Sequence, residues 1–318
     1  MSVGELLSRR LVFVTGKGGV GKSTCALGLA MAAAQQGKRV LFCEFGARPA
    51  SADYLGVSSV THTPHQPLKG ELPGLWVARL EPHQALQEYF RETLKLGPLV
   101  RLATENRMLS RFWKIAPSVD EIVLLNSLYH YERGTRRVGP EELDLIVVDM
   151  PATGHALSML GVPRGILGLG RVGPLGRRCA ELDELLGDRE KTGYCIVTLP
   201  EELPVNESVE LAQDLRTRLQ LETTHVLINR VLPEALAGGE RVLMKRLQES
   251  VRGGTEESIV QLAADNEELR AMQDTRIGEL KERLAARFVE IRQHSERGRG
   301  LIERLAAQFS LGSEGAAG

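Results

Sequence analysis

Aromatic side chains are scarce in this chain: Phe, Trp and Tyr make up 4% of 318 residues. That is too few for the stacking platforms that hold single-stranded nucleic acid. A surplus of one charge sign is also missing. Charged residues reach 25% but sum to a net charge of −1, with acidic and basic side chains interspersed. No polyanion-binding surface is indicated, and no nucleic-acid partner is expected. The four cysteines, Cys25, Cys43, Cys179 and Cys195, are scattered, with no C-x-x-C pair and no histidine at zinc-finger spacing, which argues against structural zinc. Cys25, Cys43 and Cys195 fall in apolar segments and are expected to be small buried hydrophobes. No apolar run approaches the ~18 residues of a membrane span, and no N-terminal signal pattern is found. No integral membrane segment is expected, and the expected location is cytoplasmic.

What is present is a glycine-rich stretch, Gly16-Lys17-Gly18-Gly19-Val20-Gly21-Lys22-Ser23-Thr24, between the apolar run Leu11-Val12-Phe13-Val14 and an alanine-rich helical segment. A strand that stops at such a turn and restarts as a helix aims successive backbone N–H groups, and the positive end of the helix dipole, at one point. A polyphosphate fits there. Gly16 and Gly21 permit the turn, Lys22 reaches the β- and γ-phosphates, and the Ser23 hydroxyl ligates Mg²⁺, as the G-x-x-x-x-G-K-[ST] pattern requires. The second lysine, Lys17, marks a resemblance to the deviant P-loop ATPases, the class of ArsA, Get3, MinD and ParA. The resemblance implies that Lys17 reaches a partner's nucleotide across a dimer.

In chain order, Ser23 to Gln36 reads as a helix ended by Gly37 before Arg39 to Cys43, which completes a βαβ unit. Such a crossover gives neighbouring parallel strands with the ligand at their carboxyl edge. Asp144–Asp149, Gly193–Leu199 and His225–Asn229 read as buried parallel strands, and Leu75–Leu80 as another. Val57 to Gly74 reads as a surface loop, with His62, His65 and His83 as solvated loop histidines rather than metal ligands. From Glu81 to about Arg133 the apolar spacing is helical, through Leu86, Tyr89, Phe90 and Leu94, then Leu109, Phe112 and Trp113, then Ile122 to Tyr129. That length exceeds a simple crossover and predicts an α-helical insertion. It either covers the sheet or offers an apolar groove to a protein client. The tail from about Gly238 to Phe309 reads as almost wholly helical, with Ile277, Leu280, Leu284, Phe288 and Ile291 on one stripe of one helix, broken at Gly298-Arg299-Gly300.

These readings predict an α/β fold: a parallel P-loop sheet with helices on both faces, an α-helical insertion and a helical C-terminal tail. The segments are 1–80 (first part of the core), 81–138 (insertion), 139–235 (second part of the core) and 236–318 (tail).

The second informative motif, Asp149-Met150-Pro151-Ala152-Thr153-Gly154-His155-Ala156-Leu157, follows the strand Leu145 to Val148. A carboxylate there is where a Mg²⁺-linked acid and a γ-phosphate sensor belong. The motif resembles switch II of the ArsA/Get3 family, as do the blocks Val197 to Glu207 and Val226 to Pro233. The resemblance spans roughly residues 10 to 235 and separates the chain from MinD and ParA. It implies switch II roles for Asp149, Thr153, Gly154 and His155, Mg²⁺ held by Ser23 and Asp149, ATP held by Gly18 to Thr24, and the adenine edge read by Asn229.

The departures narrow the function. The switch I segment of that family carries an aspartate that orients the attacking water, and here Gly46 of Glu44-Phe45-Gly46-Ala47-Arg48-Pro49 stands in its place. ATP binding is therefore safer than hydrolysis, with Glu44 or Asp53 as substitutes for the missing acid. The family's C-x-x-C motif, which holds zinc across a dimer, and a metalloid site are both absent, and a last strand against the adenine is not visible in the tail. The first reading, an enzyme, is a dimer switched by Mg²⁺-ATP that hydrolyses slowly, through Lys17 and Glu44, to handle a protein client at residues 81–133. The alternative is a non-hydrolysing scaffold or regulatory subunit, as a homodimer or beside an active paralogue. A positioning protein like MinD or ParA is a weaker third.

Overall fold

The computed structural model describes residues 2–45, 49–93, 118–169, 173–233, 238–250 and 252–311. Seven strands form one sheet, β1 (Leu11–Thr15), β2 (Val40–Phe45), β3 (Leu75–Leu80), β4 (Leu145–Asp149), β5 (Thr192–Thr198), β6 (Thr223–Val231) and β7 (Arg287–Arg292), in the order β3-β2-β4-β1-β5-β6-β7. Every pairing is parallel. The parallel α/β sheet expected from the apolar runs is therefore present. Strands buried on both faces read as near-continuous hydrophobic runs, and β1, β4 and β5 have no exposed residue.

One face is covered by α1 (Gly4–Leu7), α2 (Lys22–Gln35), α3 (Ala50–Leu55) and α11 (Gly298–Leu311). The alanines of α2 let it lie close to the sheet while Leu305 and Phe309 of α11 cover its other side. On the opposite face lie α4 (Pro82–Thr93), α5 (Val119–Glu132), α6 (Thr153–Leu169), α7 (Gly173–Gly187), α8 (Glu202–Leu219) and the end of α10 (Gly254–Arg283). Helices α4 and α5 of the expected insertion bury Tyr89, Phe90, Val123 and Leu128 in the core of this face. Leu94, Leu109, Phe112 and Trp113 lie outside the described residues. A further helix, α9 (Gly238–Ser250), precedes α10. No helix among the described residues is long and apolar enough to cross a membrane.

Two expectations are corrected. The tail is not helical throughout: α10 ends at Arg283, Leu284 is extended, and Arg287–Arg292 joins β6 as the seventh strand. Phe288 and Ile291 sit at steps that continue a helical stripe, but the open edge of β6 offers a full ladder to the β-prone segment Phe288-Val289-Glu290-Ile291. That partner is distant in sequence and invisible to local periodicity. Gly298 then starts α11 rather than breaking one helix. The second correction is His62, which is buried: Nδ1 accepts from the Glu81 N–H at 2.9 Å, and Nε2 lies 3.1 Å from Glu88 Oε2. The loop that carries it is pinned to edge strand β3 by Arg79 N–H to Thr61 O and by a two-way bridge between His65 and Val77. Such cover blunts an edge that would otherwise expose unpaired backbone.

Candidate nucleotide site

The site lies at the carboxyl edge of the sheet, where β1, β2, β4, β5 and β6 end. Between β1 and α2 the backbone of Gly16 and Gly21 has φ of 147° and 92°. A Cβ on Gly16 would overlap the Val197 carbonyl, and one on Gly21 would overlap the Asn229 side-chain amide. Glycine at both places is thus required by conformation and by close approach. Above Gly18 and Gly19 no described residue lies within 4 Å of where a side chain would start, which leaves the loop room for a ligand. Lys22 folds back with Nζ donating to the Lys17 carbonyl at 3.0 Å. Burial lowers its pKa, against the attraction of Asp149.

Asp149 ends β4 opposite Val14 of β1 and Glu44 of β2. Burial is the largest cause of a pKa raised to about 6, a hydrogen bond with Ser23 and the charge of Lys22 pull it down, and Glu44 pushes it up. Among the described residues its Oδ1 is buried without a partner. Glu44 is likewise buried, accepts from the Ser51 hydroxyl and, at 3.3 Å, from the Ser51 N–H, and has its pKa raised by desolvation first. Two carboxylates at adjacent strand ends with an orphaned oxygen make a site that favours a cation. Mg²⁺ takes one or two protein oxygens together with phosphates and water. Ser23, Asp149 and the open N–H loop fit that need.

Asn229 follows the last regular pair of β6 and β7, Ile228 with Glu290, with Nδ2 donating to Val20 O and Oδ1 accepting from the Arg230 N–H, both at 2.9 Å. Arg230 follows with φ of 58°, at a register shift between β6 and β7. Gln273 of α10 accepts from the Leu232 N–H at 2.9 Å and donates to the Arg230 carbonyl at 3.3 Å. The Thr24 hydroxyl donates to the Tyr54 hydroxyl of α3 at 3.0 Å.

The fold thus gathers Gly18 to Thr24, Glu44, Asp149 and Asn229 at one edge. Lys17 is there too, but in an ion pair with Glu207 of α8 in the same chain. Thr153 opens α6, with Gly154 and His155 exposed on its first turn. Asp53 lies on α3, while Gly46 lies outside the described residues. Glu207, Ser51, Tyr54 and Gln273 were not anticipated. Glu207 falls within the block Val197 to Glu207, but its pairing with Lys17 spans 190 positions and leaves no local signature. Strand β7 supplies the edge beside Asn229 that the helical reading of the tail had removed.

The family model for anion-transporting ATPases matches residues 9–169 and 175–273. The chain belongs to this family. Those segments of the anion-transporting ATPase model contain every site residue named above, whereas β7 and α11 lie beyond them. Among relatives, ATPase BagA of Mycobacterium tuberculosis is 31% identical over 237 residues, covering 71% of this chain and 66% of that protein. The arsenical pump-driving ATPase of Escherichia coli is 28% identical over 243 residues, 75% of this chain and 38% of that protein. ATPase GET3B of Arabidopsis thaliana is 23% identical over 286 residues, 75% and 68% of the two chains. The match thus spans just under two thirds of the first of these relatives and well under half of the second.

Proposed function

We propose that this member of the anion-transporting ATPase family binds Mg²⁺-ATP at the β1–β4 edge and uses it to switch a dimer that handles a protein client. The observation that carries the reading is the orphaned, buried Asp149 Oδ1 beside Ser23 and the open glycine loop. In this reading Lys22 and the loop N–H groups hold the phosphates, Ser23 and Asp149 hold Mg²⁺, and Asn229 faces the purine. Magnesium supplies charge neutralisation to the phosphates. Lys17 must leave Glu207 to reach a partner's phosphate, so closing the dimer exchanges an ion pair within one chain for one between chains. Thr153, Gly154 and His155, four to six residues past Asp149, carry the occupancy of the site into α6, as order–disorder switches do elsewhere. Residues 81–133 are the proposed client surface.

Hydrolysis is slow in this reading because Gly46 replaces the acid that would orient the water and, among the described residues, the nearby carboxylate Glu44 is already engaged. Glu44 is engaged by Ser51 and disfavoured as an anion. That observation also favours a second reading, a non-hydrolysing scaffold that pairs with itself or with an active paralogue. Steady-state turnover of the full chain and of Gly46→Asp separates the two. A measurable wild-type rate that Gly46→Asp leaves unchanged rejects the non-hydrolysing reading; no wild-type turnover at saturating Mg²⁺-ATP rejects the enzyme. Co-purification with and without ATP tests the client: Lys22→Ala must change the recovered partners, and an unchanged set contradicts the switch.

A further inference from the structure

Helix α10 is a continuous helix from Gly254 to Arg283. Its end leads through a short turn into the start of β7, which is parallel to β6, so α10 descends the sheet against the strand direction. Ile277 and Leu280 are buried on that face. Gln273 and Arg270 are bonded to the backbone at 230–232, at the carboxyl end of β6. Everything N-terminal to Arg270 therefore stands beyond the carboxyl edge, and residues 254–269 make an arm of about 24 Å at 1.5 Å per residue. The arm is fixed at its root, because three hydrogen bonds tie α10 to the strand end that also holds Asn229 against the P-loop.

The face that enters the core at Ile277 and Leu280 continues outward, in steps of eight, seven and three residues, through Leu269, Leu262 and Ile259, and there it is bare. Ile259, Leu262, Leu269 and Met272 are 52–63% exposed, and α9 alongside leaves Leu243 at 57%. Among the described residues, every large exposed apolar side chain except Leu175 and Leu203 is on α9 or α10. A monomer seldom leaves so much apolar surface in one place.

We propose that this arm is a clasp that lies on the carboxyl edge of a second copy of the same chain. The proposal rests on the nucleotide-facing dimer described above and names the surface that holds it. If Lys17 of one copy reaches the phosphates of the other, the two edges meet within a lysine's length, and an arm of this reach must overlap the facing copy. Charge selects where it lands. Residues 254–269 carry Glu256, Glu257, Asp265, Glu267 and Glu268 and no basic residue, so two arms side by side would set like charge against like. The facing edge instead offers Arg230, exposed near the end of β6, and Leu203, 60% exposed at the start of α8. An isologous contact of this kind forms twice in a two-fold dimer and doubles the apolar area covered.

All four native cysteines are buried, so single surface cysteines report without interference. One copy carries Leu262→Cys, a second, differently tagged, carries Leu203→Cys, and the two are mixed with Mg²⁺-ATPγS and a short bis-maleimide. The expected product is a dimer linking the two tags, with far less linkage between two Leu262→Cys copies. In sedimentation, the full-length double variant Leu262→Glu/Leu269→Glu is expected to dimerise about thirtyfold more weakly or worse, with the melting temperature and the nucleotide affinity of the monomer unchanged. A dimer that forms with nucleotide but gives no arm-to-edge link, and that the double variant leaves intact, overturns the clasp and spares the nucleotide-switched dimer. Linkage of arm to arm alone, or of the arm cysteine to a co-purified foreign chain with no arm-to-edge product, overturns it as well. A wild-type chain that stays monomeric with and without nucleotide overturns both.

Discussion

At the scale of single residues, Asp149 carries a cost and a purpose together. A carboxylate whose pKa is lifted from 3.8 to about 6 by burial destabilises the ligand-free fold by about 3 kcal/mol when ionised. The folded state binds the proton more tightly than the unfolded chain, so this contribution to stability is greatest at low pH and is lost as pH rises through about 6. Asp149→Asn is accordingly expected to stabilise the ligand-free protein at pH 7 by about 1–2 kcal/mol in urea denaturation, while removing the extra stability that Mg²⁺-ATP gives the wild type. A loss of stability without nucleotide would contradict this account. The same proton competes with the cation. Below pH 6 the apparent affinity for Mg²⁺-nucleotide is expected to fall by about tenfold per pH unit, measurable by titration calorimetry between pH 5 and 8. A flat profile would remove Asp149 from the metal site.

At the scale of elements, the last helix shows how the nucleotide loop is supported from behind. Phe309 and Leu305 of α11 are almost fully buried against the alanine-rich α2 that the loop opens. Phe309→Ala is expected to cost about 3–5 kcal/mol in chemical denaturation, and a change below about 1 kcal/mol would mean that α11 is not part of the core. Legibility in the sequence divides along the same lines. Strands β1, β2, β4, β5 and β6 are readable because both faces are buried and the apolar runs are unbroken. The loop from Gly16 to Thr24 and Asp149 are readable because their chemistry is local: a turn, a helix start and a strand end within a few residues. Strand β7 is not, since Phe288 and Ile291 fit a helical step and only the distant edge of β6 decides otherwise. His62 misleads for a related reason. Its environment is polar in sequence, yet Glu81 and Glu88 close over it in space. The Lys17–Glu207 and Gln273–Arg230 contacts join segments far apart in the chain, and no pattern along the sequence encodes them.

At the scale of the whole molecule, the features converge on one edge: the glycine loop, two buried carboxylates, the strained Arg230, a lysine held by its own chain, and a helical arm that leaves the body at that point. Glu207→Ala frees Lys17 without touching the loop. It is expected to strengthen nucleotide-dependent dimerisation several-fold in sedimentation, since a part-exposed ion pair of this kind is worth at most about 1 kcal/mol. A weaker dimer would show that Glu207 acts across the interface rather than within the chain. All of this depends on the edge binding nucleotide. The most direct measurement is titration of the full-length wild type and of Lys22→Ala with Mg²⁺-ATPγS by calorimetry at pH 7.5. The account predicts saturable binding at one site per chain, weakened at least about a hundredfold in the variant while its melting temperature without nucleotide is kept. No binding to the wild type, or equal binding to both, would contradict it.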